Sequence, residues 1–270
     1  MTNVLHAIIL GIVQGLTELL PVSSSAHLYA LPELFNWGSI GDFDVALHAG
    51  TLLAIGIFFF KDWIDLIVGG FNKVVKKKDS FEGKMFWYIV LATIPGGIIG
   101  FILDKYCEDI LTNPLIIGLA LVIMGIVLYI VEKKASNNVD YENMTLKQTF
   151  LIGFSQALAF IPGVSRSGIT MTIGRLLGIK REAVAKYSFM LSAPIVLAAT
   201  VFKLGDFIEY LTLASTTGII AFILGILISF IVGIIVIKFL LQYLQKGSFK
   251  VFAIYRVIIG IFVILWLIIK

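Results

Sequence analysis

Charge is what this sequence has least of. Asp, Glu, Lys and Arg make up only 14% of its 270 residues and 59% are hydrophobic, whereas soluble domains carry about 25% charge. A mean hydropathy of +1.00 leaves too little polar surface to cover a water-soluble core. A soluble domain is therefore excluded and a membrane is implied. Cysteine is almost missing too: the single Cys107 excludes an internal disulfide and reads as an inert residue at a helix end. The long apolar runs lack polar/apolar alternation, which excludes barrel strands. No Lys or Arg precedes the first apolar run and Glu18 interrupts it, so Met1 to Ala26 does not read as a cleaved signal peptide.

What is present is helix-forming apolar sequence. A spanning helix needs about 20 mostly apolar residues. Val45 to Phe60, Met85 to Leu103, Leu115 to Val131, Tyr187 to Phe202, Leu211 to Ile237 and Val251 to Ile269 are the candidates. They predict an all-α polytopic membrane protein with about six transmembrane helices in one integral membrane domain, residues 1–270. The basic residues fall in four connections: Lys73, Lys76, Lys77, Lys78 and Lys84; Lys133, Lys134 and Lys147; Lys180, Arg181 and Lys186; Lys238, Lys246 and Lys250. The other connections, such as DKYCED (Asp104 to Asp109) and KLGDFIE (Lys203 to Glu209), are acidic or balanced. The excess of positive charge puts the four basic connections in the cytoplasm and both termini outside. The run Lys76 to Lys78 is part of that topology signal, so no nucleic-acid partner is expected.

The chain repeats itself. GIVQGLTELLPVSSSAHL (Gly11 to Leu28) laid over GFSQALAFIPGVSRSGIT (Gly153 to Thr170), an offset of 153 − 11 = 142, pairs Gly11 with Gly153, Gln14 with Gln156 and Leu16 with Leu158. It also pairs Val22 with Val164, Ser23 with Ser165 and Ser25 with Ser167. Each twin is a short apolar helix broken by proline and serine and followed by a second short helical run. That pattern fits a re-entrant pair whose loop stops inside the membrane and is tolerated there because it lines a protein cavity. Three spans lie between the twins, so the second pair enters from the face opposite the first. The expected fold is an inverted-topology repeat: repeat 1 over about 1–132, a cytoplasmic connection over about 133–146 and repeat 2 over about 147–270.

Once the loops meet, one site combines Gln14, Glu18, Ser23, Ser24, Ser25 and His27 with Ser165, Arg166, Ser167 and Thr170. An ionisable group at bilayer depth costs several kcal/mol, so each one there is a functional candidate. Arg166 offers a planar fork suited to a phosphate or carboxylate, and serine hydroxyls with helix-start N–H groups add an anion cradle. The bland alternative is that Arg166 only pairs with Glu18 and locks the halves together. Glu18 and Gln14 lie four apart on one helical face. They can share a hard divalent ion, Mg²⁺ or Ca²⁺, that also binds substrate phosphate; alternatively Glu18 acts as a base. His27 can serve as base, proton donor or nucleophile, or it is simply a packed side chain.

Other features have plainer readings. His48, four residues after Asp44, is either a supporting residue of the site or interfacial, and His6 is a terminal surface residue. IPGGIIG (Ile94 to Gly100) reads as a kinked, small-residue packing face rather than a phosphate loop. Trp37, Trp63, Trp87 and Trp266 sit near span ends as interface anchors. Arg256, at the start of the last span, is expected to snorkel towards the cytoplasm.

QGLTELLPVSSSAH resembles the (E/Q)xxxE motif with its serine segment, and PGVSRSGIT the PGxSRSxxT motif, of the undecaprenyl pyrophosphate phosphatase or bacitracin-resistance family. The resemblance covers the whole chain, FDVALHAGTLLA included. It implies a membrane enzyme that hydrolyses undecaprenyl pyrophosphate to the monophosphate, recycling the lipid carrier for peptidoglycan synthesis, with a divalent cation as cofactor. Gln14 and Glu18 take the (E/Q)xxxE places, Ser24 and His27 the hydroxyl and imidazole places, and Ser165, Arg166 and Thr170 those of the second motif. Position 14 is Gln where many members have Glu, and Ser25 and Ala26 replace the common Thr and Gly. The expected location is the bacterial plasma membrane, with the site open to the outer face. Attack by Ser24, His27 or water all remain open. Inverted repeats with broken helices are also transporter architecture, so a polyprenyl-phosphate flippase is the alternative function. The glycine-bearing spans are suited to a homodimer.

Overall fold

The computed structural model describes residues 4–37, 43–106 and 113–269. Cys107 and the remainder of the acidic connection up to Asp109 lie outside the described residues. Among the described residues there are twelve α-helices and no strand. The first six are α1 (Val4–Thr17), α2 (Ser24–Leu34), α3 (Phe43–Phe58), α4 (Phe60–Val75), α5 (Phe81–Tyr106) and α6 (Pro114–Lys134). The second six are α7 (Leu146–Ser155), α8 (Arg166–Leu176), α9 (Arg181–Phe202), α10 (Leu204–Leu213), α11 (Thr216–Leu244) and α12 (Lys250–Ile269). Each half runs through a short pair, a helix followed after one residue by a second helix, and two long helices. The helices α2 and α8 are both 11 residues long and start 166 − 24 = 142 residues apart, the offset that the sequence twins require.

Five helices are long and apolar enough to cross a membrane, and the pair α3–α4, bent by 76°, makes a sixth. This agrees with about six spans, with two adjustments. The run Val45–Phe60 stops at Phe59, and α4 turns away carrying Lys61, Asp62 and Asp65 among Ile64, Ile67, Val68 and Phe71, the composition of an interfacial helix. The expected Leu211–Ile237 span is also displaced. The Ser215 hydroxyl accepts from the Gly218 N–H at 3.2 Å and starts a new helix at Thr216, which leaves Leu211 in α10.

The halves interlock. Helix α1 lies along α11 of the second half, α7 lies along α5 of the first, and α6 packs on α12. Close approach is written into the sequence at Gly11, where an added Cβ would come 2.7 Å from the Gly225 carbonyl oxygen of α11. At one end the connection after α6 is fixed by a buried ion cluster. Glu132 accepts from Arg175 Nε at 3.0 Å and from Arg181, and Arg175 also donates to Asn137 Oδ1 at 2.8 Å. Arg175 is wholly buried and the Glu132 side chain is sealed with it, so neither behaves as an ordinary loop charge. The exposed lysines nearby behave conventionally. Lys84 and Lys73 sit 2.6 and 3.0 Å from Asp79, and their hydrogen bonds hold its carboxyl below the usual range.

Candidate active site between two broken helices

Both short pairs break in the same way. Helix α1 ends at Thr17, the chain passes Pro21, and Ser23 takes a left-handed φ of 74° before α2 begins. Helix α7 ends at Ser155, a 3₁₀ turn covers Gln156–Phe160, and Ser165 takes φ 69° before α8. A left-handed serine costs about 1–2 kcal/mol, so the same strain at both twin positions marks the loops as built for a purpose. In each loop the strained serine exchanges a hydrogen bond with the serine two residues on: Ser23 with Ser25, and Ser165 with Ser167, both at 3.2 Å. Ser165 also caps α8 by accepting from the Gly168 N–H at 3.0 Å.

The loops touch. Ser167 Oγ donates to the Leu20 carbonyl at 2.9 Å, across the join. Arg256 of α12 is the stronger tie and corrects the sequence expectation. Its side chain does not snorkel: it is fully buried and donates to the carbonyls of Pro21 at 3.3 Å and of Gly163 and Val164 at 2.8 Å. Loop carbonyls at membrane depth have neither helix nor water to satisfy them, and one guanidinium with five N–H groups serves both loops. Gly163 fits this contact through a φ of 92° and a space in which a Cβ would lie 2.5 Å from the Ile117 carbonyl oxygen. Gly163→Ala is expected to lower stability by about 1–2 kcal/mol or more, read as a depressed Tm in detergent.

A cavity of about 190 Å³ opens where the loops meet, with polar walls of Glu18, Ser24, Ser25, His48, Gln156, Ser165 and Arg166. Ala159, Phe160, Ile195 and Val196 complete it. Glu18 is its centre, 8% exposed. One carboxylate oxygen pairs with Arg166. The other accepts from Ser24 Oγ at 2.6 Å and from Gln14 Nε2 at 3.3 Å, and lies 3.2 Å from His48 Nε2. Arg166 also donates to the Ser192 carbonyl at 3.1 Å, which fixes its fork. His48 Nδ1 in turn sits 3.2 Å from Asp44 Oδ1. The Arg166–Glu18 pair foreseen as a structural lock therefore exists, yet it stands in the wall of a cavity among hydroxyls.

Five of the ten residues assigned from sequence line the cavity: Glu18, Ser24, Ser25, Ser165 and Arg166. Gln14 is buried behind Glu18, and Ser23 and Ser167 shape the loops. Thr170 hydrogen-bonds Ser188 at 2.7 Å and the Arg166 carbonyl at 2.8 Å, bracing α8. His27 is turned to α12: its ring nitrogens lie 2.7 Å from the Ser23 carbonyl and 2.8 Å from the Tyr255 hydroxyl. His48 belongs to the cavity, and His6 stacks on Trp37 with ring centroids 4.1 Å apart. Gln156 and Arg256 were not assigned from sequence. The pairing of Gln156 with Gln14 in the repeat was the available signal for the first. Nothing in the sequence marked the second.

Among the described residues no group of three or more His, Cys, Asp and Glu side chains is arranged to hold a metal by itself. Glu18 is the one carboxylate in the cavity wall. Beside it, Gln14 Oε1 is buried without a partner. Such a donor set fits a hard cation that takes one carboxylate, an amide oxygen and substrate oxygens, and does not fit an all-protein cage.

The chain is similar to proteins called undecaprenyl-diphosphatase. That of Pelotomaculum thermopropionicum is 47% identical over 265 residues, covering 97% of this chain and 96% of the relative. That of Moorella thermoacetica is 44% identical over 268 residues, covering 98% and 99%. The profile of the family described as bacitracin resistance protein BacA matches residues 7–262. A match over nearly the whole chain, through both broken helices and the cavity they enclose, makes the chain a member of the bacitracin resistance protein BacA family.

Proposed function

We propose that the protein hydrolyses undecaprenyl pyrophosphate to undecaprenyl phosphate and inorganic phosphate in the cavity between the two loops. The observation that carries this reading is the chain Ser24–Glu18–Arg166. It places a hydroxyl, a base and a phosphate-binding fork on one small cavity, in a chain whose relatives bear the name undecaprenyl-diphosphatase. The apolar walls Ile195 and Val196 suit a lipid whose tail stays among helices. The diphosphate reaches Arg166 and the hydroxyls of Ser25 and Ser165.

Ser24 is the attacking group favoured by geometry, because its hydroxyl already donates to Glu18 at 2.6 Å. Its Oγ forms a bond to the terminal phosphorus as the bond to the bridging oxygen breaks. The lipid monophosphate leaves, and the hydroxyl proton passes to Glu18. Water then cleaves the phosphoserine and releases inorganic phosphate. Arg166 neutralises charge on the transferring group, the main demand of phosphoryl transfer. Glu18 and Gln14 are the residues that would hold a divalent cation, together with substrate oxygens. The ion would supply charge neutralisation on the diphosphate.

The placing of lysines supports a site open to the outer face of a bacterial plasma membrane, since the basic connections mark the opposite side. The direct test uses pure protein in detergent micelles, where no gradient exists and transport has no readout. Multiple-turnover release of phosphate from the lipid diphosphate is expected. Tight lipid binding without release would overturn the reading and leave a carrier.

A further inference from the structure

The second loop brings a polar side chain to the cavity that the mechanism above does not use. Gln156 opens the 3₁₀ turn after α7 and is 2% exposed. It lines the cavity opposite the Ser24–Glu18 pair in sequence origin, coming from the other repeat. Its Oε1 is buried with no protein partner. Its Nε2 has only the Gly153 carbonyl, at 3.5 Å, the outer limit of a hydrogen bond. Leaving a buried amide oxygen unsatisfied is destabilising, and a hydrophobic side chain of the same shape would avoid that cost. Gln156 thus stands in the cavity wall with bonding capacity that no protein group uses.

We propose that Gln156 positions the hydrolytic water of the phosphatase reaction. This rests on the diphosphatase reading and specifies a residue within it. A carboxamide carries both functions needed at an attacking water: Oε1 accepts a hydrogen bond from the water and aims its oxygen, while Nε2 donates to a non-bridging oxygen of the phosphoryl group. It cannot take the proton itself. In the second step the water oxygen bonds to phosphorus and the bond from phosphorus to Ser24 Oγ breaks. One water proton returns to Ser24 by way of Glu18, and phosphate leaves. Gln14 occupies the twin position, 156 − 14 = 142, and its Nε2 donates to Glu18 at 3.3 Å. The internal repeat has thus placed the same amide in two roles, one behind the base and one on the water.

Gln156→Met, which keeps shape without the two polar atoms, tests this with the full-length protein in micelles. kcat is expected to fall at least 10-fold with KM changed less than threefold and Tm no lower than in the wild type. Gly96→Ala is a second variant, because a Cβ there would come 3.3 Å from Gln156 Cβ and press on the side chain; a smaller fall in kcat is expected. The deciding readout is partition. With methanol present, the wild type gives mostly inorganic phosphate, and Gln156→Met is expected to raise the ratio of methyl phosphate to phosphate severalfold, since water has lost its held position. A variant with wild-type kcat overturns the inference, and so does a slowed variant whose partition ratio is unchanged, which would make Gln156 structural. If the wild type itself releases no phosphate, the diphosphatase reading falls first.

Discussion

Arg166→Ala is expected to lower kcat/KM for the lipid diphosphate by about 10³-fold or more. Two losses combine. The substrate phosphate loses the one guanidinium in the cavity wall, and Glu18, 8% exposed, loses one of its two ionic partners and keeps only His48 at 3.2 Å. A buried carboxylate with part of its compensation removed is costly, so a fall in Tm accompanies the loss of rate. Arg166→Lys separates the two effects. It restores a charge near Glu18, and with it much of the stability, but a lysine cannot reproduce a fork that reaches Glu18 and the Ser192 carbonyl at once. Recovery of Tm without recovery of rate is therefore expected. Near-normal phosphate release from a folded Arg166→Ala protein would overturn the assignment of Arg166 to the phosphate.

The sequence made the joint site legible because both of its halves carry the same local signal. In each repeat a proline and then serines interrupt apolar sequence, the serines at the same offset and the prolines within one residue of it, and such a break does not suit an unbroken spanning helix. The odd number of crossings between the twins then required the loops to meet, and Ser167 on the Leu20 carbonyl is that meeting. What stayed illegible depended on tertiary partners. Arg256 looks like any cation near a span end, and only the arrival of two loop carbonyl sets beside it makes burial favourable. His27 follows the serines closely enough to suggest shared chemistry, yet it lies on the first turn of α2, where its direction is set by Tyr255 on a helix 228 residues away. The break before Thr216 was hidden because Ala214 and Ser215 barely dent the hydropathy of the run. Glu132 and Arg175 were passed over for the opposite reason. Lone charges beside basic connections look solvated, and their mutual burial exists only once α6 and α8 are packed together.

Glu18→Gln is expected to reduce kcat by about 10²–10⁴-fold, the usual cost of removing a general base. The substitution keeps the side chain's shape and an oxygen for Arg166 or Ser24, so packing around α1 is retained. What disappears is the ability to take the Ser24 proton and the negative charge that holds Arg166 and His48 in place. Ser24→Ala should be as severe, and the double variant no worse than either single one. Two groups serving one proton transfer act as a unit, and their losses do not add. Acid quenching of the wild type with substrate labelled in the terminal phosphate should yield labelled protein, with the label on Ser24, and neither variant should become labelled. If Ser24→Ala turns over at the wild-type rate while Glu18→Gln is dead, the attack is made by water and Glu18 is its base. The Ser24–Glu18 hydrogen bond would then serve to aim the carboxylate.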